Sequence, residues 1–208
     1  MDLTILLDAP RAQTTDEFLL RDLPGTSGRL DVVCRVLIAA YRSVPFFAPN
    51  IKFLTLFGGP PNPPLQLLVN GLQPNQIPES ELACATILKT LLFLHRTKNQ
   101  GAHDQWPSFR FQPKSFQDTL DKIIKPSTQC LYLVEEGVPL DAVTLSLEKP
   151  IFLMLGDDQG LPPEHETHML QHPVQKVSLG TRSLLGSQVV SLFLLELENR
   201  QKSNTLNS

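Results

Sequence analysis

The C-terminal third of the chain holds the stretch PIFLMLGDDQG (150–160) and, after it, VQKVSLG (174–180). Each is a short apolar run that ends in a glycine, and TRSLLGS (181–187) leads into a long apolar helix from about Leu184 to Glu198. Two such strands in parallel bring their glycine loops together at the carboxyl edge of a sheet, where open α/β sheets bind small ligands. Glycine lets backbone amides approach a ligand closely. The pattern predicts a pocket lined by backbone, although two ordinary strand-to-helix turns would produce the same pattern.

The composition is that of a globular protein. Of the 208 residues, 41% are hydrophobic and 19% are charged. This favours one domain with a sizeable core, or a domain with a small appendage. No segment reaches the ~18 uninterrupted apolar residues of a membrane span. The first ten residues lack the basic flank and the long apolar run of a signal peptide. We therefore expect no contact with a membrane.

Cysteine and histidine give no metal motif. Cys34, Cys84 and Cys130 are widely spaced in apolar runs, which is typical of reduced core thiols and favours a cytoplasmic location. Three histidines, at 165, 168 and 172, would share one face of a helix after Gly160. HETH is not the HExxH zinc motif. An exposed, solvated histidine face is therefore the prediction, and no metal is expected.

Charge is distributed unevenly along the chain. The net charge of −3 argues mildly against a nucleic-acid partner, because phosphate binding usually needs a basic face. Between residues 95 and 125, six basic residues outnumber three acidic ones, a sum of +3. Between residues 134 and 170, eight acidic residues stand against Lys149, a sum of −7. Such a field could steer RNA to one side of the protein, and an unevenly charged solvated surface would look the same.

Periodicity predicts alternating strands and helices. Apolar runs predict strands, and stripes at helical spacing predict helices. The strands are expected at Leu3–Leu7, Ile51–Phe57, Gln66–Val69, Cys130–Leu133, Ile151–Leu155 and Val174–Leu179, and the other helices at Leu30–Tyr41, about Ser80–His95 and within Lys114–Ile124. Residues 96–107 are typical of a surface loop. Trp106, Phe109 and Phe111 near it could stack RNA bases or simply anchor the loop.

Familiar catalytic motifs are missing. No GxGxxG follows a strand to open a helix, and the chain has no P-loop, GxSxG or HExxH. A glycine-loop pocket without a nucleophile or a metal suits group transfer from an activated donor. The protein then mainly positions its substrates.

FLMLGDDQGLP (152–162) and KVSLGTRSLLGSQVV (176–190) resemble the cofactor half of the SPOUT, or α/β-knot, methyltransferases. They are most similar to the branch that methylates N1 of pseudouridine 54 in archaeal tRNA. DLPGTSGRLDVVCR (22–35) and GPPNPP (59–64) match further features of that family. The resemblance implies an α/β SPOUT-like fold, a mostly parallel sheet flanked by helices, with a C-terminal deep trefoil knot. It implies a single domain over residues 1–208, with the cofactor-binding knot at about 130–200.

The resemblance also implies a function. S-adenosyl-L-methionine is the expected cofactor, tRNA the expected substrate, and a homodimer built on the C-terminal helix the expected assembly. Arg29 and Asp31 would face the target base as catalytic residues. Without the resemblance, Arg29 is interpreted as a solvated flank and Asp31 as an acid favoured at a helix start. The residues expected to bind the cofactor are Leu133, Gly156, Leu179, Gly180, Ser183, Leu184 and Val189.

The chain departs from the family pattern in one place. Thr181 replaces a proline, and Leu184, Gln188 and Val189 replace a Tyr, a His and a Cys near the methyl donor. Backbone contacts to the cofactor would survive these changes, whereas side-chain contacts would not. An active tRNA methyltransferase is therefore the main hypothesis. A catalytically silent homologue that binds RNA or the cofactor is the alternative.

Overall fold

The apolar runs of the sequence form one sheet of seven strands. The structure, a computed structural model, describes residues 2–98, 105–180 and 182–206. The sheet order is β4-β3-β2-β1-β6-β5-β7. The strands are β1 (Leu3–Ala9), β2 (Ile51–Phe57), β3 (Leu65–Asn70), β4 (Phe109–Gln112), β5 (Gln129–Pro139), β6 (Ile151–Leu155) and β7 (Val174–Ser178).

The sheet is mostly parallel, as predicted. Within the described residues, strands β2, β1, β6, β5 and β7 run in one direction, and only β3 and β4 are antiparallel to their neighbours. The carboxyl ends of β5, β6 and β7 therefore lie side by side at one edge. The loops after Leu155 and Ser178 therefore flank the end of β5 on the same edge, which is the edge where the two glycine-ended strands of the sequence indicated a pocket.

Helices cover both faces of the sheet. Alternate residues of β1 show this division, because Ile5 and Leu7 belong to one core and Leu6 to the other. The helices are α1 (Leu23–Thr26), α2 (Leu30–Arg42), α3 (Glu81–Arg96), α4 (Phe116–Ile123), α5 (Pro163–Met169) and α6 (Gly186–Leu206), with 3-10 turns at Leu20–Asp22, Pro45–Asn50, Pro74–Gln76 and Leu140–Ala142. The first core includes α2, α3 and α6, and the second includes α4 and α5.

The helix predicted at Leu30–Tyr41 is confirmed as α2, and its apolar stripe faces the sheet. Leu30, Cys34 and Leu37 are fully buried. Tyr41 is buried as well, and its hydroxyl oxygen lies 3.1 Å from the Ile51 carbonyl and 2.9 Å from the Val69 carbonyl. The hydroxyl of Tyr41 therefore fastens the end of α2 to the start of β2 and the end of β3.

Two aromatic residues near the predicted loop belong to a strand instead. Phe109 and Phe111 lie in β4 and are buried. Phe111 packs edge-on against Phe57 with 5.7 Å between the ring centroids, and Trp106 packs edge-on against Phe109. Their rings anchor the edge of the sheet. Phe109 and Phe111 are buried and so not available to stack on RNA bases, and the hypothesis that they do so is wrong. Residues 99–104 of the predicted loop lie outside the described residues.

The strand β5 loses its regular pairing next to the predicted pocket. Its register with β7 shifts between Leu133 and Val138. A Cβ atom on Gly137 would lie 2.4 Å from the backbone of Val177, so only glycine fits there. The irregular segment leaves Val134 and Glu135 outside the regular pairing with β7, beside the loops. The trefoil knot implied by the resemblance stays a prediction.

Two remaining expectations concern surfaces. Among the described residues, no helix combines the length and the hydropathy needed to cross a bilayer. The prediction of an exposed histidine face is wrong. The side chains of His165, His168 and His172 are only 22–23% exposed. They lie on α5 and in the turn that follows it, and they pack against α4.

Candidate active site

A cavity of about 610 Å³ opens at the carboxyl ends of β5, β6 and β7, and we refer to it as the edge cavity. Small-molecule sites in proteins typically span about 300–1,000 Å³, so a cofactor of nucleoside size would fit. Four segments of the cofactor half and one helix line it. They are 132–135 of β5, 155–160 after β6, 177 and 179–180 at the end of β7, 182–189 at the start of α6, and, at α2, Arg29 just before the helix with Val32, Arg35 and Val36 inside it.

The residues expected to bind the cofactor come together in this cavity. The backbone loops after β6 and β7 form two of its walls, and the start of α6 forms a third. All of the residues singled out in the sequence line it, namely Leu133, Gly156, Leu179, Gly180, Ser183, Leu184 and Val189. Their contact with a cofactor stays a prediction.

The two glycines of the pattern are needed for different reasons. A Cβ atom on Gly156 would lie 2.2 Å from the carbonyl carbon of Gly160, so Gly156 allows the loop after β6 to fold back on itself. Gly180 has φ +122°, a conformation that L side chains rarely adopt, and a Cβ atom there would meet nothing within 4 Å. Of these two glycines, only Gly180 leaves open space that a side chain would fill.

Arg29 and Asp31 are paired at the start of α2. The Arg29 guanidinium donates from Nε to Asp31 Oδ1 at 3.0 Å and from Nη2 to Oδ2 at 3.2 Å. Arg35, one helical turn further, donates to the same Oδ2 at 2.7 Å. Arg29 lies on the wall of the edge cavity with a third of its side chain exposed, whereas the Asp31 side chain is 3% exposed. Asp31 therefore sits behind Arg29.

The charge state of Asp31 follows from these partners. Burial would raise the pKa of the Asp31 carboxyl, but the hydrogen bonds from Arg29 and Arg35 bring its pKa below the ordinary value. The same carboxylate raises the pKa of Arg29. Asp31 is thus an ionised anchor for two arginines, and it is poorly suited to accept a proton.

A second set of ion pairs fastens the loop after β6. Arg11, in the loop after β1, donates from Nη2 to Asp157 Oδ2 at 2.9 Å and also contacts Asp158. Asp158 in turn accepts from Arg29 Nη1 at 3.2 Å. The loop after β6 is therefore linked through Asp158 to the guanidinium that faces the edge cavity.

Sequence reasoning missed four members of this network, namely Arg11, Arg35, Asp157 and Asp158. The spacing of Asp31 and Arg35 at i and i+4 on a helix was a usable signal for an ion pair. The partners of Arg11 lie 146 and 147 residues away, and a single sequence carries no signal for such a pair.

Gln188 occupies the position where the family pattern has a histidine. Its side-chain Oε1 accepts a hydrogen bond from the backbone N–H of Leu185 at 3.0 Å. This satisfies one of the backbone donors that a helix leaves free at its start. Gln188 thus has a local structural role at the start of α6, while it also lines the edge cavity.

The sheet order, the covering helices and the cavity at the carboxyl edge define an α/β methyltransferase fold of the SPOUT type. A solved structure, that of Archaeoglobus fulgidus Nep1 bound to S-adenosylhomocysteine, shares this fold with a TM-score of 0.62 and 14% identity, over 97% of this chain and 99% of that one. The chain belongs to the family described as "Putative SAM-dependent RNA methyltransferase", whose model matches residues 3–202. The resemblance seen in the sequence motifs is confirmed.

Individual relatives match over almost their whole length. The tRNA (pseudouridine(54)-N(1))-methyltransferase of Thermococcus onnurineus is 34% identical over 200 residues, 94% of this chain and 97% of the relative. The enzyme of the same name from Pyrococcus abyssi is 31% identical over 199 residues, 93% of this chain and 96% of the relative.

Proposed function

We propose that the protein transfers a methyl group from S-adenosyl-L-methionine to N1 of pseudouridine 54 in tRNA. The observation that carries the proposal is the position of Arg29 on the wall of the cavity that also contains both glycine loops. Relatives that match this chain from end to end bear the name of this activity. A group able to contact the target base thus lies beside the walls that would hold the methyl donor.

The edge cavity offers suitable partners for the cofactor. Leu133, Leu179 and Val189 would supply apolar contacts for the adenine ring. The backbone next to Gly156 and Gly180 would supply hydrogen bonds, because glycine lets the main chain approach closely. These contacts do not require the Tyr, His and Cys of the family pattern, which Leu184, Gln188 and Val189 replace in this chain. This supports an active enzyme over a silent homologue.

The reaction needs little acid–base chemistry from the protein. S-adenosylmethionine supplies a methyl group on a sulfonium, which is already activated for transfer. The N1–CH3 bond forms as the S–CH3 bond breaks, S-adenosylhomocysteine is released, and the N1 proton leaves to solvent. The chain then contributes by holding the two reactants in line, an effect that can supply a large part of the rate enhancement.

Arg29 and Asp31 have different roles in this proposal. The guanidinium of Arg29 would offset the negative charge that grows on the ring carbonyls as N1 loses its proton. Asp31 is buried behind Arg29 and ionised, so it would act as a positioning residue that aims Arg29. The family resemblance implies that Asp31 itself faces the base, whereas its burial supports the indirect role.

The assembly and the location are further parts of the proposal. Leu185, Leu192 and Leu195 at α6 are 42–58% exposed, which is the apolar surface expected if α6 forms a homodimer. All three cysteines are buried free thiols, which supports a cytoplasmic location. We further propose that residues 1–208 act as a single domain, with the cofactor held by about 130–200.

Pseudouridine provides a direct test. In uridine N1 carries the ribose, whereas in pseudouridine the ribose is on carbon and N1–H is free. The protein is incubated with tritium-labelled S-adenosylmethionine and a tRNA that carries either pseudouridine or uridine at position 54. We expect label only in the pseudouridine tRNA, at nucleoside 54. Equal label in both tRNAs would overturn the proposal. Cofactor binding by calorimetry without transfer to either tRNA would favour the silent homologue.

A further inference from the structure

Three potential metal ligands converge on the face of the sheet covered by α4 and α5. Asp121 lies near the end of α4, His168 near the end of α5, and His172 in the turn that follows. His168 Nε2 and His172 Nε2 lie 3.7 Å and 3.5 Å from the same atom, Asp121 Oδ1. The three atoms all lie within 4.8 Å of one another. None of the three residues lines the edge cavity.

The two imidazole nitrogens are buried without a hydrogen bond. Within the described residues, neither His168 Nε2 nor His172 Nε2 has a hydrogen-bond partner, although both atoms are shielded from solvent. Buried polar atoms are nearly always satisfied, and leaving one unsatisfied is costly. Asp121 is too far from both rings for good hydrogen bonds. The arrangement therefore needs an explanation beyond packing.

The backbone holds these rings in place. The His172 N–H donates to the Met169 carbonyl at 3.0 Å, and the His172 carbonyl accepts from Val174 at 2.8 Å. The two rings meet edge to face with centroids 5.3 Å apart. His168 also packs edge-on against Phe116 of α4. Backbone hydrogen bonds and ring packing thus keep the two histidines beside α4, whereas the Asp121 side chain is 62% exposed and able to adjust.

We propose that Asp121, His168 and His172 bind a zinc ion or a similar divalent transition metal, with water as the fourth ligand. Imidazole nitrogen together with one carboxylate is a ligand set for Zn²⁺, whereas Mg²⁺ and Ca²⁺ prefer oxygen alone. With bonds of about 2.0–2.1 Å, tetrahedral ligand atoms lie about 3.3 Å apart. The present separations from Asp121 Oδ1 are 3.5 and 3.7 Å, and all three atoms lie within 4.8 Å of one another, so metal binding would draw the three side chains closer together.

The proposed ion would cross-link two segments of the chain. It would join α4 to the segment formed by α5 and the turn before β7, across 47 residues from Asp121 to His168. That segment connects the two loops of the edge cavity, because α5 follows the loop after β6 and β7 precedes Gly180. Metal binding would therefore stabilise the cofactor half of the chain, since a ligand that binds only the folded state opposes unfolding.

The test measures binding and unfolding, so its result is independent of methyl transfer. Full-length protein without a polyhistidine tag is stripped with EDTA, dialysed, and titrated with Zn²⁺ in a calorimeter. We expect one Zn²⁺ per chain. His168→Gln, His172→Gln and Asp121→Asn should each weaken binding by more than the ~10–100-fold loss typical of an outer-shell partner. The control variants are His165→Gln and Asp118→Asn, which change a histidine on α5 and an acid on α4 outside the cluster. Both controls should bind Zn²⁺ with the affinity of the unmodified chain.

Thermal unfolding gives the second readout. Zn²⁺ should raise the midpoint of the unmodified protein and leave that of Asp121→Asn unchanged. Because Asp121 is exposed, this variant keeps the packing of the fold even if a histidine variant does not. Absence of stoichiometric binding, or equal affinity in Asp121→Asn and the unmodified chain, would overturn the proposal.

Discussion

Arg29 donates two hydrogen bonds to Asp31, of 3.0 and 3.2 Å, and of these two residues only Arg29 lines the edge cavity. Arg29 does so with φ +73°, in the left-handed region that non-glycine residues rarely occupy. Such conformations cost on the order of 1–3 kcal/mol and cluster at functional sites. The ion pair with Asp31 offsets that cost and fixes the direction of the guanidinium.

The first prediction concerns this pair. Arg29→Ala should lower turnover by roughly 10²–10³-fold, the range for a charge-stabilising group at a reacting centre. Asp31→Asn should lower turnover by a smaller factor, because Arg29 remains but is aimed less well. Steady-state methyl transfer to tRNA measures both effects.

Arg42→Ala is the matched control, because Arg42 is an exposed arginine at the far end of the same helix. Its turnover should equal that of the unmodified protein. Cofactor affinity should stay within a few-fold in all three variants. Full turnover in Arg29→Ala would return Arg29 to the role of a solvated flank.

The second prediction concerns Gly180 and tests whether a side chain there blocks the cofactor or only strains the backbone. Gly180→Val should abolish binding of S-adenosylmethionine, because its side chain enters the space beside the cofactor loops. Gly71 also has a positive φ, and a Cβ atom there would meet only the Pro49 carbonyl oxygen, at 4.0 Å, but Gly71 lies outside the edge cavity. Gly71→Val should therefore lose stability without losing the cofactor. Calorimetry and thermal unfolding distinguish these outcomes.

Gly156→Val should also lose cofactor binding, for a different reason. Its Cβ atom would collide with the backbone of Gly160, so the loop after β6 must open. We expect a larger drop in the unfolding midpoint than in Gly180→Val. Unchanged cofactor affinity in both Gly156→Val and Gly180→Val would remove these loops from the cofactor site.

Much of the fold could be predicted from the sequence because its strands are strongly apolar. β6 and β7 each end at a glycine loop, and α2 has a clear helical stripe. β4 was missed, because FRFQ is four residues long and is held in place by pairing with β3. Its identity as a strand depends on a distant partner, which local periodicity does not encode.

For the candidate site too, local features were predicted from the sequence and long-range contacts were not. Motif resemblance identified Arg29 and seven other residues that line the edge cavity, since those residues lie within a few short segments. It did not identify Arg11 as the partner of Asp157, because that ion pair spans 146 residues. Nor did it reveal that Asp31 lies behind Arg29, because burial of one side chain depends on how Arg35 folds over it.

The third prediction concerns the assembly. Leu192 and Leu195 lie on the exposed face of α6, opposite the buried Phe193 and Leu197. The unmodified protein should have the mass of two chains by light scattering at micromolar concentration. Leu192→Glu combined with Leu195→Glu should give a monomer, because an obligate interface buries ~2,000 Å² or more of mostly apolar surface.

Leu82→Glu provides the control for the dimer. Leu82 is an exposed leucine on α3, and its replacement should leave the mass at two chains. A monomer in the unmodified protein at this concentration would contradict the proposed homodimer.

The fourth prediction concerns pH. His165 Nδ1 lies 2.5 Å from Asp8 Oδ2, and the ring stacks on Phe116 with centroids 4.1 Å apart. Burial alone would lower the pKa of His165, but the hydrogen bond and the charge of Asp8 raise it above the ordinary value. A raised folded-state pKa means that the protonated ring stabilises the fold. This stability is fully present below the unfolded pKa of about 6.5 and is lost as the pH rises through the folded value.

His165→Gln should remove that part of the pH dependence. Asp8 adds a change of the same sign at lower pH, because burial raises its pKa and the hydrogen bond with His165 offsets this only partly. The free energy of unfolding is measured with urea at pH 6 and pH 9, in EDTA to exclude metal effects. The unmodified protein should lose more stability over this interval than His165→Gln, because the variant lacks the imidazole; Asp8, without His165 to lower its pKa, should titrate at higher pH in the variant. Equal losses would show that His165 titrates as a free imidazole, and the resonances of its ring should then report an unshifted pKa by NMR.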